Sequence, residues 1–268
     1  LTLGTKNSSS YTTVYPQTVT ARSALSAIIN LPNNCTFGEH PLVSRFLKGV
    51  FELKPSLPRY SAIWDVGTVL RFMQATPPAQ NMTLKNLTKK LTTLLALMTA
   101  QRRQTLAKLD VQFMQDTSDK LVFNIRGKLK TTRPGKHLDP IDIVPYANDT
   151  KLCPVLHIRE YIRRTEEIRQ SSLLLLSYQK PHKPVTNATM GRWVKSTLLE
   201  AGIDVETFSA HSSRTATSSY GMLAGLTLQD VLKAGRWSNA ETFARHYNKP
   251  ITPNFGHAIL AHFDQQQN

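Results

Sequence analysis

The stretch Ala210-His211-Ser212-Ser213-Arg214-Thr215 is the part of the chain on which both its fold and its chemistry depend. His211 and Arg214 are three residues apart, so on a helix both side chains project from one face and can reach one phosphate group. The planar guanidinium of Arg214 can donate two parallel hydrogen bonds to phosphate oxygens. When a histidine and an arginine occur three residues apart without other signals, the histidine is more often a packed core residue and the arginine a surface charge. Whether these two bind a phosphate therefore depends on the residues further along the chain.

Two aromatic residues come after this pair in the sequence. Trp237 offers an indole N–H donor, and Tyr247 offers a phenolic oxygen, which belongs to the small set of groups that form covalent intermediates. Taken singly, each is more often a core residue than a chemical group. Their order and spacing after His211 and Arg214 indicate a site that holds and attacks a phosphodiester.

The residues around the tyrosine predict a short helix. Ser238 as N-cap and Glu241 three residues later form a capping box, and Pro250 ends the helix soon after Tyr247. Tyr247 is therefore expected near a helix C-terminus. The alternative is that Phe243 and Tyr247 form an aromatic pair that only anchors a terminal helix, but this leaves the upstream histidine and arginine unexplained.

The chain resembles the tyrosine recombinases in three segments, Ala210-His211-Ser212-Ser213-Arg214, Ala234-Gly235-Arg236-Trp237-Ser238 and Phe243-Ala244-Arg245-His246-Tyr247. The resemblance implies a further arginine upstream, after a long apolar helix and at the start of a short one. The match falls on Arg102, and Arg103 is the alternative one residue later. The resemblance spans most of the chain and is strongest from Arg102 to Tyr247.

Two departures from the common bacterial pattern narrow the resemblance. Trp237 stands where histidine is usual, and Tyr247 lies ten residues after it, one more than is common. Thr105 replaces the acidic residue that commonly comes after the first arginine. In these respects the chain looks more like the recombinases of eukaryotic mobile elements of the DIRS, Ngaro and Crypton groups, which implies a nuclear protein that integrates or excises such an element.

The family also uses a lysine in a β-hairpin between its two arginines. Here Leu121–Ile125 and Ile141–Pro145 are strand-like, and the connection between them is rich in lysine. Lys130 fits the family pattern best, with Lys128 second. For any single lysine the alternative is a solvated loop that contacts backbone phosphates. Contacts to DNA are expected from Lys128, Arg133, Lys136 and Arg236.

The resemblance implies a mechanism of phosphotyrosine exchange. Tyr247 attacks a DNA phosphate and forms a 3′-phosphotyrosyl bond, while Arg102 and Arg214 neutralise the non-bridging oxygens and Trp237 donates one further hydrogen bond. One phosphodiester is exchanged for another, so neither a cofactor nor a metal ion is expected.

Two further roles complete the implied reaction. His211 assists proton removal from the tyrosine or steadies the phosphate, and Lys130 protonates the leaving 5′ oxygen. Strand exchange between two sites needs four protomers on double-stranded DNA. Residues 255–263 are a candidate helix for docking on a neighbour or for packing on their own domain. The alternative functions are a catalytically silent, domesticated DNA-binding module and a type IB topoisomerase.

The charge of the chain fits a polyanionic partner. The net charge is +15 and the pI is about 10.0, with the excess spread along the chain. From Lys120 to Lys136 there are six basic residues and no acidic one. An RNA-binding protein shows a similar charge. The charge therefore indicates a nucleic-acid partner, but it does not indicate which reaction the protein carries out.

Other sequence signals exclude several classes of protein. Cys35 and Cys153 have no metal-ligand spacing, which favours a reduced, intracellular protein without a zinc site. No stretch has the length and apolarity of a membrane span, and no signal peptide is visible. No membrane association and no small-molecule ligand are expected. A start at Leu1 instead of Met is compatible with a fragment of a longer protein.

The spacing of apolar residues predicts a mainly α architecture. Residues 1–76 are expected to form an all-helical core-binding domain with a flexible lead and a helix near Arg22–Ile29, followed by a linker at 77–83. Residues 84–268 are expected to form a mixed α+β catalytic domain with a small antiparallel sheet. Its predicted strands are 111–113, 121–125 and 141–145, and its predicted helices include 155–169, 187–201, 210–224 and 228–234. Residues 173–176 fit either a buried strand or a helix end.

Overall fold

The structure is a computed structural model that describes residues 14–32, 35–54, 60–127, 129, 132 and 138–249. Its contacts divide the chain into two compact units, Leu1–Arg59 and Tyr60–Asn268. The secondary structure is mostly helical and includes a three-stranded antiparallel sheet. The predicted fold class, mainly α with a small antiparallel sheet, is confirmed.

The described residues of the first unit include two helices that contact each other through an aromatic pair. Helix α1 spans Val14–Ile28, and α2 spans Pro41–Leu53 after a short 3-10 turn at Phe37–Glu39. Tyr15 of α1 contacts Phe51 of α2 edge-on, with the ring centroids 5.1 Å apart. The helix expected near Arg22–Ile29 is present as part of α1, which begins earlier, at Val14.

A long buried helix, α4 (Leu84–Thr99), forms the centre of the second unit. The middle of its apolar stripe is fully buried, as the spacing predicts, at Leu87, Leu91, Leu94 and Leu95. At the two ends the stripe is not core, because Leu84 is only partly buried and Met98 is 46% exposed. Threonines of the same helix are buried as well, and Thr88, Thr92 and Thr99 donate their hydroxyl protons to carbonyl oxygens four residues earlier. This local bonding lets polar side chains lie in the core without unsatisfied groups.

The residues just before the predicted linker belong to the same core as α4. Helix α3 spans Val66–Ala75, and Ile63 ahead of it packs in one apolar cluster with the α4 leucines. The predicted linker, residues 77–83, carries a 3-10 turn at Ala79–Asn81 and the buried Met82. The division between compact units therefore falls before α3, because this segment buries its apolar side chains against α4. A core-binding role for residues 1–76 remains a prediction.

A short helix leads from α4 into the sheet. Helix α5 spans Arg103–Leu106, and the sheet has the order β1 (Met114–Asp116), β2 (Leu121–Phe123) and β3 (Ile141–Ile143). In β3 the two isoleucines are buried, and Asp142 between them is exposed. This alternation is what a strand with one face on the core requires.

One predicted strand is wrong. Val111–Phe113 forms a 3-10 turn, because the carboxylate of Asp110 accepts a hydrogen bond from the backbone N–H of Gln112 at 2.9 Å. Strand pairing begins one residue later, where Met114 lies opposite Phe123.

Five further helices lie in the described part of the second unit. They are α6 (Pro154–Thr165), α7 (Asn187–Glu200), α8 (Ser212–Leu223), α9 (Leu228–Gly235) and α10 (Ala240–His246). The ambiguous residues 173–176 are extended, with isolated β-bridges from Leu173 to Asp110 and from Leu176 to Pro184. In the described ranges, no helix is both long and apolar enough to cross a membrane.

Candidate active site

Arg214 lies in the first turn of α8 and is almost completely buried, with 2% of its surface exposed. Its Nη1 donates to the carbonyl oxygen of Ala100 at 2.6 Å, and its Nη2 donates to that of Gly235 at 2.5 Å. The guanidinium carbon lies 3.8 Å from the ring centroid of Trp237. This stacking and the two hydrogen bonds fix the guanidinium plane.

A second positive charge acts on Arg214. Burial, and then the charge of Arg102, lower the pKa of Arg214 to about 10, whereas Tyr247 acts in the opposite direction. Since this pKa lies well above neutral, the side chain is a cation at pH 7. In the described ranges, no ion pair joins a carboxylate to Arg102 or Arg214. The two guanidinium groups therefore create a region of positive electrostatic potential that favours binding of an anion.

Trp237, which stacks on the Arg214 guanidinium, is 9% exposed. A Cβ atom at Gly235 would collide with the indole, so the glycine permits this close approach to the end of α9. The indole Nε1 is buried without a hydrogen-bond partner among the described residues, and the same is true of Nε of Arg214. Buried donors without a partner are unusual, and these two, which lie next to each other, are available to a ligand.

Tyr247 comes directly after the last residue of α10 and packs beside this pair. Its ring centroid lies 4.9 Å from that of Trp237 and 6.2 Å from that of His211, which is exposed. The main chain is held by Ser219, whose hydroxyl donates to the carbonyl oxygen of Tyr247 and accepts from the N–H of Lys249, both at 3.0 Å. The four residues that the sequence groups together thus meet in space.

The helix that carries the tyrosine begins one residue later than predicted. Asn239, and not Ser238, is the N-cap of α10, since its side-chain oxygen accepts hydrogen bonds from the N–H groups of Glu241 and Thr242 at 2.7 and 3.1 Å. Asparagine and serine are both strong N-caps, and here the amide oxygen reaches two N–H groups at once.

The structure distinguishes between the two candidate upstream arginines. Arg102 is the N-cap of α5, and its charge is felt by Arg214. Arg103 points elsewhere, because its guanidinium packs so closely on Gly191 of α7 that a Cβ there would collide with it. Burial lowers the pKa of Arg103. Arg102 is therefore the arginine that joins the cluster.

Most of the second unit matches a known family. The profile of the phage integrase family covers residues 67–252, which is more than half of the chain. The chain belongs to the phage integrase family. The resemblance to tyrosine recombinases is thus confirmed at the level of the family.

Solved structures of other recombinases share the fold of this phage integrase family member. The XerH site-specific recombinase bound to its palindromic difH substrate in a post-cleavage complex matches with a TM-score of 0.55 at 15% identity, over 84% of this chain and 59% of that chain. The pre-cleavage XerH complex matches with a TM-score of 0.52 at 14% identity, over 94% and 71% of the two chains. The XerA recombinase matches with a TM-score of 0.51 at 12% identity, over 98% and 86%.

The phage integrase chain described here thus spans less than two thirds of the length of the first XerH chain. No significant match is found among curated proteins.

The basic residues predicted to contact DNA in this phage integrase family member are only partly described. Lys128, Lys130, Arg133 and Lys136 lie outside the described residues. Arg236 ends α9 in a left-handed conformation with φ of 56°, and its side chain donates to the carbonyl oxygen of Asp139. Burial lowers the pKa of Arg236. The arginine therefore holds the segment before β3, and its contact with DNA remains a prediction.

Sequence reasoning missed three residues that support the site of this phage integrase. Ala100 supplies the oxygen bound by Arg214, Gly235 makes room for the indole, and Gln101 donates from Nε2 to the carbonyl oxygen of Ala234 at 2.5 Å. The glycine directly before Arg236 and Trp237 was a usable signal, since glycine often marks a close approach. Neither Ala100 nor Gln101 carries such a signal.

Proposed function

We propose that the chain is a site-specific DNA recombinase that cuts and rejoins strands through a 3′-phosphotyrosyl intermediate. The observation that carries the proposal is the packing of Tyr247 beside Trp237 and Arg214, whose guanidinium also feels the charge of Arg102. Membership of the phage integrase family supports DNA recombination in general. The XerH site-specific recombinase, which shares this fold, is known in complexes with its difH substrate before and after cleavage.

The donors around Arg214 suit a phosphate. Its guanidinium has five N–H donors, and the carbonyl oxygens of Ala100 and Gly235 accept from two of its nitrogens, so N–H groups including Nε–H remain for a ligand. Trp237 adds its Nε1–H. Donors that are already held by the core need little reorganisation when charge develops on the non-bridging oxygens, which is commonly the largest catalytic contribution.

The proposed step is an in-line exchange at phosphorus. The phenolic oxygen of Tyr247 forms a bond to phosphorus and loses its proton, while the bond from phosphorus to the 5′ oxygen breaks. His211, whose ring lies at 6.2 Å from that of Tyr247, assists proton removal or steadies the phosphate. The leaving oxygen takes up a proton, for which Lys130 is the proposed donor. Attack by the 5′-hydroxyl of a partner strand then restores the tyrosine.

This exchange conserves the number of phosphodiester bonds, so it consumes no nucleotide cofactor. Arg102 and Arg214 take the electrostatic role that Mg²⁺ has in other phosphoryl transfers. The net charge of +15 supports double-stranded DNA as the partner.

The wider biological setting is part of the proposal. A tetramer on DNA is inferred from the need for four tyrosines in strand exchange between two sites. A nuclear location and a mobile element of the DIRS, Ngaro or Crypton type are inferred from the spacing of Trp237 and Tyr247 and from Thr105.

The test is a suicide-substrate assay. Nicked duplexes that carry the ends of the proposed element are incubated with the protein, and denaturing gels are examined for a protein–DNA band. The proposal predicts a band that is lost in Tyr247→Phe and kept in the matched control Tyr220→Phe, an exposed tyrosine of α8. Binding without a band would favour the silent module, and relaxation of supercoils without joining of sites would favour the topoisomerase.

A further inference from the structure

The turn that carries Arg102 is short and tightly held. Ala100 ends α4 in a left-handed conformation with φ of 49°, Gln101 is 7% exposed, and Arg102 starts α5 as its N-cap. The carbonyl oxygen of Arg102 accepts hydrogen bonds from the N–H groups of Thr105 and Leu106 at 2.8 and 3.1 Å. The backbone at Arg102 is therefore fixed by the turn at Ala100 and Gln101 before it and by the first turn of α5 after it.

The end of α9 lies against this turn. The last carbonyl groups of a helix lack partners within the helix, and here two of them are used as acceptors. The oxygen of Ala234 accepts from Nε2 of Gln101 at 2.5 Å, and the oxygen of Gly235 accepts from Arg214. Arg214 also donates to Ala100. One direct hydrogen bond, from Gln101, and one bridge of two hydrogen bonds through Arg214 thus join the turn at residues 100–102 to the turn that carries Trp237.

We infer that Gln101 is a positioning residue, whose side-chain amide holds the Arg102 turn against the Trp237 turn so that Arg102 and Arg214 present their charges to one phosphate. The inference rests on the proposed function, in which both guanidinium groups bind that phosphate. Like charges repel, and the amide of Gln101 holds the two turns together without adding a further charge to the pair.

Gln101 is suited to this task because its amide can donate to a carbonyl without adding charge. A carboxylate at the same place would pair with one guanidinium and compete with the phosphate for it. The hydrogen bond is partly buried and joins residues 133 positions apart in the sequence. Its loss would leave the two turns joined by Arg214 and by the apolar packing of Ala100 with Trp237, neither of which holds the Gln101 side chain.

The first test measures position without DNA. The protein is labelled with 5-fluorotryptophan, and the resonances of Trp64, Trp193 and Trp237 are assigned with single Trp→Phe variants. Gln101→Leu keeps most of the side-chain volume and removes the donor. The Trp237 resonance is expected to shift, while that of Trp193, which packs against Tyr178, stays in place. The matched control is Gln104→Leu in α5, which makes no hydrogen bond to residues 234–237 in the described part of the chain and should move neither signal.

The second test separates binding from chemistry. In single-turnover cleavage of the suicide duplex, Gln101→Leu is expected to slow formation of the covalent complex by on the order of tenfold to a hundredfold, because a small displacement of a catalytic group has effects of that size. Its dissociation constant for DNA is expected to change less than about threefold, since most contacts are to other phosphates. In a double-mutant cycle with Arg102→Lys, the two losses are expected to combine to less than their product.

The outcomes separate this inference from the proposed function. An unshifted Trp237 resonance, or losses that multiply in the cycle, would overturn the role of Gln101. If the unaltered protein forms no covalent complex on any duplex, the recombinase proposal fails, and the fluorine spectra alone then decide whether Gln101 holds the two turns. Should Gln101→Leu not fold, Gln101→Met replaces it in both tests with the same expected results.

Discussion

The two sides of the candidate site differ in how they are held. Arg214 and Trp237 are almost fully buried and form part of the core, whereas His211 is exposed and Tyr247 is half-buried at the end of the seven-residue helix α10. The groups that bind charge are thus built into the folded protein, and the groups that move a proton and attack phosphorus lie where DNA can reach them. Substitutions on the exposed side should therefore reduce activity alone, whereas substitutions on the buried side should reduce both activity and stability.

The largest expected effect on chemistry comes from the exposed side. Tyr247→Phe removes only the hydroxyl group, so covalent complex formation should fall below detection. The midpoint of thermal unfolding and the affinity for DNA should stay close to those of the unaltered protein. Gel assays, thermal melts and binding titrations of the same preparations check this. A large loss of stability would mean that the tyrosine hydroxyl contributes mainly to the folded structure and not to the reaction.

A substitution on the buried side should reduce both the stability of the protein and its cleavage activity. Arg214→Ala removes donors from two carbonyl oxygens and leaves a cavity, which should lower the free energy of unfolding by about 3 kcal/mol. Cleavage should fall on the order of a thousandfold, as for the loss of a preorganised charge. Urea unfolding and single-turnover cleavage measure the two effects. A variant as stable as the unaltered protein would contradict the structural half of the comparison.

A smaller effect is expected when the indole alone is displaced. The Cβ of Gly235→Ala collides with Trp237, so cleavage should slow by on the order of tenfold. Stability should fall by about 2 kcal/mol through overpacking.

Gly49→Ala is the matched control, because its Cβ meets no atom within 4 Å and alanine favours the helix α2. That variant should be slightly more stable and equally active. Equal behaviour of the two glycine variants would show that the contact at Gly235 has no influence on the indole.

The smallest effect concerns a buried histidine remote from the site. Burial lowers the pKa of His157 to about 4 from its ordinary value of 6.5, and the charge of Lys90 also lowers it, against a hydrogen bond with the Cys153 carbonyl group. Above pH 6.5 the folded and unfolded states are both neutral at this residue, so its contribution to stability is fully present there.

As the pH falls from 6.5 towards 4, the unfolded state binds the proton first and stability is lost, by about 1 kcal/mol between pH 7 and pH 5.5. Urea unfolding of the unaltered protein and of His157→Leu at several pH values measures the difference in slope. A slope equal in the two proteins would mean that His157 does not titrate with folding.

Much of the fold was predictable because its signals are local. The leucine stripe of α4 and the alternating residues of β2 and β3 can be read from periodicity. The cluster of His211, Arg214, Trp237 and Tyr247 was predictable as a set because the resemblance carries its spacing.

Other features depend on which side chain a distant segment approaches. Two arginines in a row carry no periodic signal, and only the approach of Gly191 assigns Arg103 to packing and leaves Arg102 at the site. Ser238 and Asn239 are both good helix caps, so the choice between them depends on backbone geometry. The amide of Gln101 finds its acceptor at Ala234, far along the chain, and composition cannot reveal such a pairing.

The segment ahead of α3 sets the limits of any excised catalytic fragment. The indole of Trp64 donates to the hydroxyl oxygen of Ser212 at 2.8 Å, and the phenolic oxygen of Tyr60 accepts from the N–H of Ser209 at 3.2 Å. Both acceptor and donor lie close to His211, at the entry to α8. A fragment that starts at the predicted linker would lack these two hydrogen bonds and would expose the apolar face of α4. A fragment that starts at Tyr60 retains both hydrogen bonds and keeps that face covered.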